Sequence, residues 1–179
     1  LQPSSTYHFY VRARCSATDS SFWSGPHILI TNCAPITTLP WTENFDNLTT
    51  VGNNFYPPCW VDENPGVWGT TNAMASTLTS GPLSGPNYLR IRYGSNATMW
   101  TPEFDLVAGE TYEFSFNWGG DSYSDWDGGI YVNTSQAFAG ATLLGAKFVE
   151  VGDPTTLAYR PEIYCFTPTT SGVCTFGIK

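Results

Sequence analysis

Residues 97–132, ATMWTPEFDLVAGETYEFSFNWGGDSYSDWDGGIYV, decide the fold. Within this stretch aromatic and polar residues alternate strictly, which predicts a β-strand with one buried face because strand side chains repeat every two residues. The residues predicted on the buried face are Tyr112, Phe114, Phe116 and Trp118. The loop that follows, residues 117–129, gathers carboxylates, glycines, serines and tryptophans. We expect any binding chemistry in that loop, because strands supply a rigid scaffold and loops carry the variable groups.

The composition predicts an all-β protein. Of the 179 residues, 16% are aromatic and only 12% are charged, and no long window shows the apolar repeat of a helix. Short strands separated by frequent turns indicate a two-sheet antiparallel β-sandwich. A chain of this length forms one domain or two small ones, and it is long enough to bury a substantial core.

The formal charge of −8 bears on the possible partners. With only 7 lysines and arginines, the chain lacks the basic surface that nucleic acids or anionic membranes require. No apolar run approaches the length of a membrane span. We therefore expect no nucleic acid partner and no membrane insertion, whereas an acidic chain of this kind permits bound cations.

Five cysteines without a CxxC pair argue against a zinc ribbon and suggest disulfides formed in an oxidising compartment. A hairpin predicted near residue 179 would place Cys165 directly opposite Cys174, within disulfide range. Cys33 and Cys59 bracket the start of the second segment and form the second predicted pair. Cys15 is then left over, and we expect its partner upstream of the present sequence. The alternative is that all five are free buried thiols.

Residues 1–33 alternate as two strands joined by a polar loop. Three patterns resemble the last two strands of a fibronectin type III domain, and these are Leu1-x-Pro3-x-Ser5-x-Tyr7, the run Tyr7-x-Phe9-x-Val11-x-Ala13, and Trp23-Ser24-x-Pro26. Ser5 stands where that family more often has threonine. The resemblance implies a partial fibronectin type III domain, and the alternative is a hairpin added to one larger domain. An isolated hairpin is marginal in water, so we expect it to lean on the next domain or to be poorly ordered.

Residues 34–40 contain two prolines and are predicted to be a short, stiff linker before a second domain at residues 41–179. Four motifs of this second domain stand out, namely Leu39-Pro40-Trp41-x-Glu43-Asn44-Phe45-Asp46, Pro57-Pro58-Cys59-Trp60, Thr101-Pro102-x-Phe104-Asp105-Leu106 and Tyr112-x-Phe114-Ser115-Phe116-x-Trp118. Together they resemble the cleaved-adhesin or MAM-like jelly rolls of bacterial surface proteins, which also sit beside fibronectin type III modules. The family's closing strand is absent, so we expect a domain truncated at its C-terminus.

The acidic loop contains Asp125-Trp126-Asp127-Gly128, a fragment of a calcium loop in which alternate side chains converge and glycine permits a sharp bend. Jelly rolls of the resembled family often hold calcium between the first strand and a late loop. That resemblance implies Glu43 and Asp46 as further ligands beside Asp127. The predicted metal ligands are therefore Glu43, Asp46, Asp125 and Asp127. The alternative is a solvated, negatively charged loop without an ion.

Aromatic residues border the same loop, and flat rings can stack on sugars or on the side chains of a protein partner. Tyr123 and Trp126 are the predicted ligand-binding residues, because Trp126 lies between two aspartates, where burial is difficult. Five other tryptophans are predicted to be packing residues, and these are Trp41, Trp60, Trp68, Trp100 and Trp118.

Catalysis has little support in the sequence. The only histidines, His8 and His27, both lie in the fibronectin-like hairpin, and no nucleophile elbow, zinc-protease helix or phosphate loop occurs. Asp125 and Asp127 share one loop and do not flank a cleft, as the carboxylates of a glycosidase would. We therefore expect no enzyme activity.

These observations predict a secreted or surface-displayed binding module. The first hypothesis is adhesion to a host or matrix protein, or to a surface glycan, through loops that calcium helps to order. The second is a carbohydrate-binding accessory domain of a secreted hydrolase or protease. The third is a structural spacer that contacts only the neighbouring domains of the same chain.

Overall fold

A computed structural model describes residues 1–72, 81–91, 96–120, 125–150 and 159–179, and these residues form strands and turns without a helix. The all-β prediction is therefore confirmed. The chain divides into two compact units, Leu1–Ala34 and Pro35–Lys179. Accordingly, no helix long and apolar enough to cross a membrane is present in the described ranges.

Unit 1 is a single antiparallel hairpin of β1 (Thr6–Val11) and β2 (Ser24–Ile30). Direct partners such as Phe9 and His27 share one face, and their rings lie 5.3 Å apart. The backbone N–H of Gln2 donates a hydrogen bond to the Tyr7 hydroxyl at 2.6 Å. This bond ties the residues before β1 to the start of the strand, and its geometry resembles that of a tyrosine corner.

Unit 2 contains eleven further strands among the described residues, numbered in chain order. They are β3 (Gly52–Asn53), β4 (Val61–Asp62), β5 (Trp68–Thr71), β6 (Tyr88–Ile91), β7 (Met99–Trp100), β8 (Phe104–Leu106), β9 (Tyr112–Trp118), β10 (Trp126–Asn133), β11 (Thr142–Glu150), β12 (Arg160–Phe166) and β13 (Gly172–Ile178). The largest sheet has the order β11-β10-β13-β7-β4, with β8 also paired to β13. Strands β9 and β12 form a second sheet, and β3-β5-β6 form a third. All ladder pairings between these strands are antiparallel.

The β9–β12 sheet packs on the largest sheet through the aromatic face that the sequence predicted. The Phe114 ring stacks on Phe176 of β13 at 4.8 Å, and the Phe116 ring meets Phe148 of β11 edge-on at 5.5 Å. Trp118 is buried at the end of β9. This face-to-face packing of two antiparallel sheets confirms the β-sandwich, with the apolar side of β9 as one half of its core.

A second aromatic cluster lies around Trp60, Trp68, Ala97 and Met99. Trp60, Trp68 and Trp100 are buried, as the sequence predicted for packing residues. Trp41 is partly buried and packs against both clusters, with its ring 5.4 Å from that of Phe104.

The alternation of apolar and polar residues from Trp41 to Asp46 predicts a first strand, but the structure has no strand there. Phe45 has a positive φ of 64°, a conformation that ends an extended run. The Glu43 carboxylate accepts a hydrogen bond from the backbone N–H of Phe45 at 2.7 Å and closes this turn locally. The side chain therefore bonds to the backbone in place of a neighbouring strand.

The predicted linker at residues 34–40 belongs to unit 2 from Pro35 onward. Ile36 forms a parallel bridge with Phe104, in which its N–H donates to the carbonyl of Glu103 at 2.8 Å. The Ile36 side chain also packs against the core of the sandwich. Backbone pairing at Ile36 therefore holds this part of the predicted linker in place. The proline content alone did not indicate that pairing.

Candidate functional site

Four strand termini converge at one end of the sandwich in unit 2. Strand β9 ends at Trp118, β10 begins at Trp126, β11 ends at Glu150 and β12 begins at Arg160. The strand register places Trp126 opposite Glu150 and Arg160 opposite Trp118. We call this end, defined by these four residues, the loop end.

A buried ion pair lies at the loop end. Arg160 Nη2 is 2.7 Å from Glu150 Oε2, and the Glu150 side chain is fully buried, whereas the Arg160 side chain is 35% exposed. The contact is short but badly directed, because neither Glu150 oxygen receives a hydrogen bond within the described residues. The attraction between these two groups is therefore one of opposite charges at short distance, without an aligned hydrogen bond.

The Trp118 ring completes this cluster. The Arg160 guanidinium lies over its face, 4.6 Å from the ring centroid, which is the geometry of a cation–π interaction. The indole Nε1–H of Trp118 donates to Glu162 Oε1 at 3.3 Å. The Trp118 ring thus carries the Arg160 cation on its face and bonds the Glu162 carboxylate at its edge, and the formal charges of Glu150, Arg160 and Glu162 sum to −1.

Gly120 covers the other side of the buried carboxylate. A Cβ atom placed on Gly120 would lie 2.5 Å from Glu150 Cδ and 2.7 Å from Oε2, closer than side chains approach one another. A larger residue at this position would therefore have to displace the Glu150 carboxylate.

A groove of about 300 Å³ lies beside the cluster, where the edge strands β11 and β12 meet. The residues that line it are Leu144, Gly145, Ala146, Lys147, Phe148, Glu162, Ile163, Tyr164 and Cys165. The Tyr164 hydroxyl donates to the carbonyl of Ala146 at 3.0 Å and bridges the two strands. Burial raises the pKa of Tyr164, with a smaller contribution from the charge of Glu162, so this hydroxyl keeps its proton at neutral pH.

The predicted calcium ligands have separate partners. Asp127 forms an ion pair with Lys147 at 2.8 Å, and Asp46 packs against Gly85, while Glu43 bonds the turn described above. Among the described residues, no group of three or more histidine, cysteine, aspartate or glutamate side chains is placed to hold a metal ion. The described parts of the chain therefore do not bring Glu43, Asp46, Asp125 and Asp127 together as one donor set, and calcium binding stays a prediction.

The predicted ligand-binding aromatics fall largely outside the described part of the chain. Tyr123 lies outside the described residues, and of Trp126 only the backbone is described, at the start of β10. Asp125 is exposed immediately before that strand. The role of both aromatics in binding stays a prediction.

The two predicted disulfides have opposite outcomes. Cys33 and Cys59 are disulfide-bonded, which confirms that pair. The pairing of Cys165 with Cys174 is wrong, because both are free thiols, one exposed and one buried. Their strands lie in different sheets, where Cys165 is opposite Glu113 and Cys174 is opposite Phe104. The leftover Cys15 is a free, exposed thiol.

Sequence reasoning missed Glu150 and Arg160, although the sequence contains a signal for the first. Glu150 follows Phe148 by two residues in β11, and both are buried on the same side of the strand. A glutamate in phase with a buried phenylalanine predicts a buried carboxylate that needs a cationic partner. Nothing in the sequence indicates that the partner is Arg160.

Comparison with known proteins gives no relative from which a function could be transferred: no family model, no curated protein and no solved structure matches this chain.

Proposed function

We propose that this chain is a non-catalytic extracellular adhesion module, which binds a protein or glycan through the loop end of unit 2. The observation that carries the proposal is the convergence of Trp118, Glu150, Arg160 and Glu162 where four strand termini meet. A rigid β-sandwich with charged and aromatic groups at one end is a common way to present a binding surface on loops.

Two further observations support an extracellular setting. The Cys33–Cys59 disulfide fits an oxidising compartment, where such bonds persist. The bond at Tyr7, which resembles a tyrosine corner, supports the interpretation of unit 1 as the end of a fibronectin-type sandwich, a frequent module of surface proteins. We place the protein at the cell surface or in the secreted fraction on these grounds.

The test is a binding screen of the whole chain against immobilised fibronectin, collagen, laminin and fibrinogen, together with a glycan array. We expect at least one specific ligand, bound more weakly by about tenfold when Glu162→Ala removes a carboxylate from the loop end. Glu110→Ala is the matched control, because Glu110 is an exposed glutamate in the turn before β9, at the opposite end. Binding that Glu162→Ala leaves unchanged, or no binding at all, would contradict the proposal.

Thermal melting of the whole chain with calcium and with chelator tests the metal prediction. We expect calcium to raise the melting temperature and chelator to lower it, because a bound ion stabilises the folded state by mass action. Melting curves that coincide in both solutions would exclude a calcium site. A glycan as the sole ligand would favour a carbohydrate-binding accessory domain.

A further inference from the structure

The ion pair at the loop end leaves hydrogen-bonding capacity unused. Glu150 is fully buried, yet neither of its carboxylate oxygens receives a hydrogen bond from the described residues. A buried acceptor without a donor costs free energy, and a buried carboxylate normally accepts two or three hydrogen bonds. The Arg160 cation beside Glu150 is therefore oriented so that it leaves the hydrogen-bonding capacity of the carboxylate largely unused.

The position of Arg160 explains this poor orientation. Its guanidinium is held over the Trp118 face at 4.6 Å, and the two residues are also direct partners in the β9–β12 ladder. A two-bond contact with a carboxylate requires the guanidinium and the carboxylate to lie in one plane with both N–H groups forward. Arg160 reaches Glu150 with one nitrogen at 2.7 Å and does not achieve that arrangement.

The surroundings favour an additional positive charge. Glu162 accepts the hydrogen bond from the Trp118 indole, so a second carboxylate lies at the edge of the ring whose face carries the Arg160 guanidinium. The whole chain carries a formal charge of −8, which attracts cationic groups from solution. Because the Arg160 side chain is 35% exposed, the site opens to solvent on its side.

We propose that the face of Trp118 and the carboxylate of Glu150 form a guanidinium-binding site, which Arg160 fills in the free protein and which an arginine side chain of a partner protein takes over. This inference rests on the proposed binding function and names the chemistry recognised at the loop end. An incoming arginine is not attached to β12, so it can face both Glu150 oxygens. Arg160 competes with it, since a tethered group acts at a high effective concentration.

The test compares wild type with Arg160→Ala in a calorimetric titration with N-acetyl-arginine amide. Removal of the competing side chain should strengthen binding by at least about tenfold. N-acetyl-citrulline amide, which we call citrulline amide below, has the same shape without the charge and should not bind. The double variant Glu150→Gln/Arg160→Ala should lose the gain. A folded Arg160→Ala protein that does not bind arginine amide, or that binds citrulline amide equally well, would overturn the proposal.

A second measurement needs no variant that could fail to fold. In the wild type, arginine amide should shift the NMR signal of the Trp118 indole N–H, whereas citrulline amide should not. An indole signal that neither compound moves at the highest soluble concentration contradicts the site. If the ligand screen still shows binding, the adhesion function is retained and only the proposed recognition of arginine is wrong. A ligand screen without any hit, beside a positive arginine titration, would instead remove the adhesion function alone.

Discussion

The described residues include two antiparallel two-stranded sheets that have similar sequence patterns but differ in how far their apolar side chains are buried. In unit 1, Phe9 alternates with polar neighbours along β1 and remains 45% exposed. In unit 2, Phe114 alternates in the same way along β9 and stacks on Phe176 of a second sheet. The comparison shows that alternation specifies a strand and its apolar face, whereas burial requires a second layer to cover that face.

Exposure of the apolar residues follows this difference. In the hairpin of unit 1, large side chains on both faces are open to solvent, among them Phe9, Tyr10, Val11, Ile28, Leu29 and Ile30. In the sandwich, the corresponding aromatic residues of β9 lie in one cluster with residues of β8, β10, β11, β12 and β13. Unit 1 therefore gains little free energy of folding from its own apolar face, because that gain scales with the area removed from water.

The largest expected effect is the loss of a ring from the covered face. Phe176 is buried and packs against Phe104, Phe114 and Phe166, so Phe176→Ala should lower the free energy of unfolding of unit 2 by about 4 kcal/mol. Phe9→Ala is the matched change on the uncovered face and should cost less than about 1 kcal/mol. Denaturant unfolding followed by tryptophan fluorescence measures both. Equal losses of unfolding free energy in the two variants would contradict the contrast between the covered and the uncovered face.

Next in size is the buried ion pair. Arg160→Ala leaves the Glu150 carboxylate buried without its cation and should cost about 3 kcal/mol of unfolding free energy. This loss lies within the stability of an ordinary domain, so the variant is expected to fold. The double variant Glu150→Leu/Arg160→Met should recover most of the loss, because an apolar pair needs no charge compensation. Denaturant melts that rank the double variant below Arg160→Ala would contradict this account.

Adjacent glycines in β10 provide a sharper contrast. A Cβ atom on Gly128 would overlap Phe148 Cζ inside the core, whereas one on Gly129 would meet the end of Leu143 at 3.0 Å. Gly128→Ala should therefore cost about 2 kcal/mol through overpacking. Gly129→Ala should cost less, since the Leu143 side chain can move. Thermal melting of both variants tests this, and a larger loss at Gly129 would contradict the packing described for Phe148.

The free cysteines should differ in reactivity. In unreduced, denatured protein we expect an alkylating reagent to label Cys15, Cys165 and Cys174, while Cys33 and Cys59 stay protected. In the native protein, Cys174 should react slowest, because it is buried and burial raises the pKa of its thiol above the ordinary value. Mass spectrometry of the digested protein reads out each site. Protection of Cys165 and Cys174 together would restore the disulfide that the structure excludes.

The smallest effect is expected at the exposed ion pair. The hydrogen bond from Lys147 to Asp127 raises the pKa of the lysine above its ordinary value. Any stabilisation is therefore present below the pKa of an unfolded lysine and is lost as the pH rises through the raised folded value. Lys147→Ala should leave the melting temperature at neutral pH unchanged, since exposed pairs contribute little. A clear fall in the melting temperature of Lys147→Ala would contradict this expectation, because it would show that the exposed ion pair stabilises the fold.

Much of the fold could be predicted because alternation and composition are local signals. The aromatic face of β9 and the buried positions of Trp60, Trp68 and Trp100 followed from them. The turn at Phe45 could not be predicted, because the alternating pattern around it indicates a strand. The pattern does not show that the Glu43 side chain bonds to the backbone there. The predicted pairing of Cys165 with Cys174 is wrong for a related reason. Consecutive strands β12 and β13 pair with other strands, and local sequence does not say which sheet a strand joins.

The sequence predicts binding groups at residues 117–129, and their role in binding stays a prediction. Charged and aromatic side chains converge at the loop end. The residues that meet there, Glu150 and Arg160, come from strands that follow the acidic loop in sequence. Their pairing depends on how the two sheets pack on each other, and a single sequence motif does not predict that tertiary arrangement.

Trp41 has a consequence for how unit 2 comes apart. Its indole touches both aromatic clusters, and it lies 5.4 Å from Phe104 in one and 6.5 Å from Trp60 in the other. Loosening either cluster strips contacts from the same side chain and so weakens the other. Despite its three sheets, unit 2 should therefore lose its protected amides in a single cooperative event.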